Sequence, residues 1–261
     1  MYNKLSVFKL ELEEVKNPAI RKFAEKVISN IPDYFFETAA SSTGKYHPIY
    51  ALGDGGLVRH TKAAVGIAID LLSLEHNIKI YSPDERDCII VALICHDGWK
   101  HGDTYNKYTV ANHPVVAAEN IILLADKNEM EFAKAIADNI ISHMGQWNTD
   151  YKSKKEIMPK PTTNSQMFVH TCDYLASRKY LTYEFSDYYQ PSNFVEKEKS
   201  EIEKRISELV ALCKNKISEG VDRNELYRII SENNDGKKNP NTITDISVVN
   251  KIIGIIEETK G

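Results

Sequence analysis

Eight histidines punctuate this 261-residue chain, at positions 47, 60, 76, 96, 101, 113, 143 and 170, against only four cysteines. Imidazole and carboxylate chemistry is therefore better provided for than thiolate chemistry, and placement decides what it does. His60 falls three after Leu57 and four before Ala64, on the apolar stripe of a helical pattern, so it points inward. His96-Asp97 closes an apolar run, Cys88 to Cys95, that reads as buried on every face. His113 opens a helix between Asn112 and Pro114. His143 ends a helix with Ala133, Ile136 and Ile140 on its inner stripe. Asp173, four after Val169 and three before Ala176, again falls on an inward face. A single inward histidine is more often a hydrogen-bonded core residue than a ligand, and a single buried aspartate more often a cap or ion-pair partner. Six such residues together are different. Two carboxylates buried among imidazoles leave unpaired charge, which a divalent cation offsets. That donor set suits Mn, Fe, Co, Ni or Zn, and Mg alone less well.

The elements that must carry these side chains are helical almost throughout, and the expected fold class is all-α. Residues 18–31 put Ile20, Phe23, Ala24, Val27, Ile28 and Ile31 on one stripe, ending before Pro32. A second helix is expected over 57–75. A third starts at Ser82-Pro83-Asp84-Glu85, which offers an N-cap, a first-turn proline and a capping-box glutamate. Further helices are expected at 113–125, 128–143 and 164–182, separated by stretches at 98–112 and 144–163. The second stretch is long for a compact domain, and such loops tend to be functional. The pattern changes near Pro191, which divides a core of residues 1–190 from a small helical extension, 191–261. In the extension, an amphipathic helix over 194–218 turns Ile202, Ile206, Leu209, Cys213 and Ile217 inward, followed by helices near 222–233 and 245–258. It has no histidine and reads as packing, a cap or a dimerisation element.

Composition excludes several functions. The formal charge is −4, from 33 basic and 37 acidic residues, so there is no basic footprint for duplex nucleic acid. The longest apolar run, eight residues, is far short of a membrane span. The charged MYNKLSVFKLELEEVK start has no signal-peptide core, and no C-x-x-C pair is present, so a reducing cytoplasm is expected.

Five strings, GGLVRHTKAA (55–64), ALICHDGWKHG (92–102), NHPVVAAE (112–119), ISHMGQW (141–147) and HTCDYLASR (170–178), together resemble the HD-domain metal-dependent phosphohydrolases. The resemblance covers about residues 18–182, and its order is that of the binuclear H…HD…H…H…D branch. It implies an HD-type helical bundle holding two divalent transition-metal ions. His60, His96, Asp97 and Asp173 would bind one. Asp97 would bridge to a second, held by His113 and His143, with a bridging water or hydroxide as nucleophile. Two cations about 3.5–4 Å apart acidify such a water and clamp phosphate oxygens.

Lys100 matches the family's H-D-x-x-K position and is either a phosphate or leaving-group contact or a surface lysine. Arg178, in the Ser177-Arg178 pair that is similar to the family's D-x-x-x-S-R ending, either binds phosphate or pairs with an acid. Lys45, His47 and His101 are candidates for the substrate pocket, with His101 and His170 also candidates for supporting positions. In the 144–163 loop, Trp147 and Tyr151 interleave with Lys152, Lys154, Lys155 and Lys160. This is either a base-stacking, phosphate-attracting surface or a solvated loop. Trp99 reads as packing or pocket wall.

The resemblance thus implies hydrolysis of a phosphate ester, foremost the 5′-phosphate of a (deoxy)nucleoside monophosphate such as deoxythymidylate. The substrate would be a small nucleotide. The alternatives are a phosphodiesterase or 3′–5′ exoribonuclease of the HD class, a mixed-valent diiron oxygenase, and a non-catalytic nucleotide sensor. The first usually carries an added OB-type module, for which this chain has no room. Filled ligand positions disfavour the sensor.

Overall fold

Helix boundaries follow local chemistry. In the computed structural model, which describes residues 3–41, 44, 47–191 and 201–259, twelve α-helices form and no strand is present among those residues. The all-α class expected from the sequence is what the chain adopts. Contacts divide it into two units, Met1–Asn193 and Phe194–Gly261.

The first unit contains α1 (Lys4–Val7), α2 (Lys9–Glu14), α3 (Pro18–Asn30), α4 (Gly56–Leu72), α5 (Glu75–Ile80), α6 (Pro83–Cys95), α7 (His113–Leu124), α8 (Met130–Ile141) and α9 (Asn164–Ala176). α6 is its axis. Every residue from Asp87 to Cys95 is buried, and α2, α3, α4, α8 and α9 all pack against this helix. Its start is the expected capping box: Ser82 Oγ accepts from Glu85 N (3.3 Å) while Glu85 Oε2 accepts from Ser82 N (2.9 Å). Both otherwise orphaned donors are satisfied. Ser82→Ala is expected to cost about 1 kcal/mol of stability, seen as a lowered midpoint in thermal unfolding. Thr163 and Gln166 form a second such box at the start of α9. Cys88, Cys95 and Cys172 are buried free thiols, each pushed up to about 12 by burial first of all.

Two boundaries differ clearly from the sequence expectation. The 57–75 segment stops at Leu72, and a separate short helix, α5, follows it. α9 ends at Ala176 instead of 182, and a non-helical strap runs on to Pro191. That strap is pinned to α4 by two buried cations. The Arg59 guanidinium donates to the carbonyls of Tyr50 (2.6 Å), Leu52 (2.9 Å) and Tyr189 (2.9 Å). Lys62, 2% exposed, donates to Glu11 (2.8 Å) and to Asp187 (2.8 Å).

The second unit has its own core. α10 (Glu201–Ser218), α11 (Arg223–Asn233) and α12 (Ile246–Glu258) bury Leu209, Leu226, Ile230, Val249, Ile252 and Ile256 together. The inward stripe expected of the amphipathic helix, Ile202, Ile206, Leu209, Cys213 and Ile217, packs there. Positions 194–200, expected to begin that helix, lie outside the described residues.

Candidate metal centre

Six side chains from five helices or helix ends converge in the first unit. His60 projects from the second turn of α4, while His96 caps the end of α6 and Asp97 follows it. His113 is the first residue of α7, His143 lies two residues past α8, and Asp173 lies on α9. The four histidines and Asp97 are each at most 2% exposed, and Asp173 is half-buried.

Asp97 is the centre of the cluster, and its two oxygens face different partners. Oδ2 lies 3.5 Å from His96 Nε2 and 3.9 Å from His60 Nε2. Oδ1 lies 3.1 Å from His113 Nε2 and 3.9 Å from His143 Nε2. Asp173 Oδ1 completes the first side, 2.9 Å from His60 Nε2 and 3.5 Å from His96 Nε2. Three overlapping triads, His60-His96-Asp97, His96-His143-Asp173 and Asp97-His113-His143, each gather their ligand atoms within 4.8 Å. These residues could hold a metal ion.

Hydrogen bonding shows why the donors fit a cation. The Nδ1 atoms of His96, His113 and His143 lie 2.7, 3.0 and 2.8 Å from the carbonyls of Leu93, Val110 and Ile140. A carbonyl can only accept, so each Nδ1 carries the proton and each Nε2 of a neutral ring presents a lone pair inward. His113 Nε2 and His143 Nε2 face each other at 3.3 Å, an opposition that a cation relieves. His96 Nε2 and Asp97 Oδ1 are buried without a hydrogen-bond partner. Buried polar atoms left in this state are costly unless an ion takes them up.

Charge within the cluster is strongly redistributed among its own side chains. Burial pushes the Asp97 carboxyl up, yet Lys100 and His96 together hold it well below the usual carboxylate range. Asp173 is likewise held low against burial, by His60 and His96. Burial lowers His96, but the flanking carboxylates, Asp97 first, outweigh it and raise the ring to about 10. His143 is pushed down to about 3 by burial and by His96.

A cavity of about 540 Å³ opens beside the cluster, a size in the range of small-ligand sites. Lys100, His47, Trp147 and Arg178 line it together with His60, Asp97, His143 and Asp173. Lys100 Nζ lies 2.5 Å from Asp97 Oδ2, so it faces the cluster and is not a surface lysine. His47 packs edge-on to His60, its buried Nδ1 has no partner, and burial pushes it down to about 3. Arg178 lies over the Tyr174 ring, 4.2 Å from its centroid, and among the described residues pairs with no acid.

Other candidates fall elsewhere. Lys45 lies outside the described residues. His101, expected at the substrate, does not line the cavity: its Nδ1 bonds the Asn106 carbonyl (2.7 Å) and its ring packs on Tyr34 and Tyr105. The lysines of the 144–163 loop do not line it either; Lys160 pairs with Glu156 and Lys154 sits over Tyr151. Trp99 is buried packing, and His76 is exposed on α5. Sequence reasoning missed Met144 and Tyr174, which line the cavity beside ligands His143 and Asp173. Adjacency to a ligand was the available signal.

No family model, curated protein or solved structure matches the chain. Fold and site together define an all-α protein with a buried four-histidine, two-aspartate cluster suited to a metal ion. Among the described residues no helix is long and apolar enough to cross a membrane.

Proposed function

We propose that this chain is a metal-dependent phosphohydrolase of the HD superfamily, acting on the 5′-phosphate of a small nucleotide. The observation that carries the reading is the division of Asp97, with one carboxylate oxygen toward His60 and His96 and the other toward His113 and His143. A shared carboxylate between two imidazole sets is what a pair of cations requires, Mn, Fe or Co being the best matches to these donors. Bound there, divalent cations supply an acidified water and neutralise charge on the phosphate.

The chain's own side chains support the rest. Lys100, held at the rim of the cluster, is placed to meet a phosphate oxygen or the leaving group. Arg178 is fixed by Ser177 Oγ (2.7 Å) and by the Tyr174 ring, which suits it to a second phosphate contact. Trp147 and Tyr174 stack at 11° with centroids 5.9 Å apart, and Trp147 remains 46% exposed, so its free face can receive a base.

The test is phosphate release from ribo- and deoxynucleoside mono-, di- and triphosphates, using protein stripped with EDTA and reloaded with Mn²⁺, Co²⁺, Fe²⁺ or Mg²⁺. Release from monophosphates is expected with Mn²⁺ or Co²⁺ and none from the stripped protein. Absence of release from every monophosphate with every metal would sink the proposal, and iron-dependent oxygen consumption would replace it.

A further inference from the structure

The turn after α8 holds two different parts of the site within five residues: His143 at the cluster, then Met144 and Trp147 on the cavity wall. α9 holds a matching set, with Asp173 at the cluster and Tyr174 on the wall. Among the described residues, one hydrogen bond joins this turn to α9. It runs from His170 Nδ1 to the His143 carbonyl, at 2.6 Å. The carbonyl accepts, so the proton is on Nδ1.

The fit around this bond is close. Gly145 has φ +57°, and a Cβ there would lie 2.3 Å from the His170 ring. Only glycine allows the turn to close over the imidazole. The same ring contacts Trp147 and Tyr174, with both centroids 6.3 Å away. His170 does not line the cavity at the cluster but faces a smaller one of about 240 Å³, beside Gln146 and Thr171. It therefore acts through other residues and not on a substrate.

We infer that His170 is a positioning residue. Its bond to the His143 carbonyl sets His143 against Asp173, which lies one helical turn further along α9. Its ring at the same time seats Trp147 against Tyr174. Metal affinity and the cavity wall thus depend on one imidazole that is a ligand to nothing. The inference rests on reading the cluster as a metal centre.

The test is a Co²⁺ titration of metal-stripped protein, read by visible d–d absorption, which needs no substrate. His170→Phe keeps the ring and loses the donor. It is expected to bind Co²⁺ on the order of tenfold more weakly than wild type, with an altered band. His170→Asn restores a donor near the Nδ1 position and is expected to recover wild-type affinity. Gly145→Ala displaces the ring with the donor intact and should weaken binding as His170→Phe does; it carries the test should the phenylalanine variant not fold. Wild-type affinity and spectrum in His170→Phe or Gly145→Ala overturn the inference, as does a His170→Asn variant as weak as the phenylalanine one. Wild-type protein that takes up no Co²⁺ overturns the metal reading itself, a separate result.

Discussion

On the proposed phosphohydrolase reading, Asp97→Asn is expected to lower phosphate release by on the order of 10³-fold or more and to empty the cluster of metal. The substitution preserves volume and removes one negative charge from the point where both imidazole sets meet. Each side then loses its shared anion: His60, His96 and His143 retain Asp173 nearby, whereas His113 retains no carboxylate in any triad. Lys100 also loses its ion-pair partner, which lies 2.5 Å away. Metal content by elemental analysis and phosphate release by a colorimetric assay check the outcome together. Asp173→Asn should be milder in metal content, because the Asp97-His113-His143 triad stays whole. An Asp97→Asn protein that keeps its metal and stays within about tenfold of wild-type rate would contradict the role assigned to this carboxylate.

Lys62→Ala should produce the largest loss of stability away from the cluster, about 3–5 kcal/mol. Lys62 is 2% exposed, and both Glu11 oxygens lie within hydrogen-bonding distance of its ammonium, at 2.8 and 3.0 Å. Deleting the lysine strands a buried carboxylate beside Phe8, whose ring the ammonium also approaches. Asp187, on the strap, is half-exposed and can turn to water. The corresponding fall in melting temperature is about 6–20 °C for a unit of this size.

The sign of the pH dependence follows from Glu11. Burial already raises its carboxyl above the ordinary value of 4.5, against the pull of Lys62. Removing Lys62 raises it further, so folding is favoured while Glu11 is protonated and that advantage is lost as pH rises through the elevated value. The deficit of Lys62→Ala relative to wild type is therefore smallest in mild acid and grows toward neutrality. Thermal unfolding at several pH values measures it. Lys62→Met with Glu11→Leu should recover most of the loss, since apolar replacement of a buried pair is often close to neutral. A pH-independent deficit would show that lost packing dominates.

That ion pair also marks where sequence reading stops. The stripe of α4, with Leu57, Ala64 and Ala68 inward, was legible because spacing along one helix determines which face is apolar. The burial of Arg59, Thr61 and Lys62 on the same helix was not legible. The partners of Arg59 and Lys62 come from Glu11, Tyr50, Leu52, Asp187 and Tyr189, which only the folded chain brings near. The cluster itself was unusually readable, because each ligand sits on a helix stripe or at a helix end with strong local signals. The cavity wall was less so: a lysine-rich loop looked suited to phosphate, yet its lysines find local partners or solvent. The early end of α9 was hidden too, because 177–182 carry no breaker residue and the strap is held by distant carbonyl and carboxylate contacts.

One feature of the cluster bears on how the site comes into being. The rings of His96, His113 and His143 are each oriented by the carbonyl three residues upstream, Leu93, Val110 and Ile140. These are contacts of minimal sequence separation, so they form on the timescale of local helix-end closure, well before distant helices meet. His60 has no such tie, and its Nδ1 is without a partner. In the folded chain, three of the four imidazoles thus take their orientation from their own helix ends, so docking those ends brings rings already aimed by local contacts.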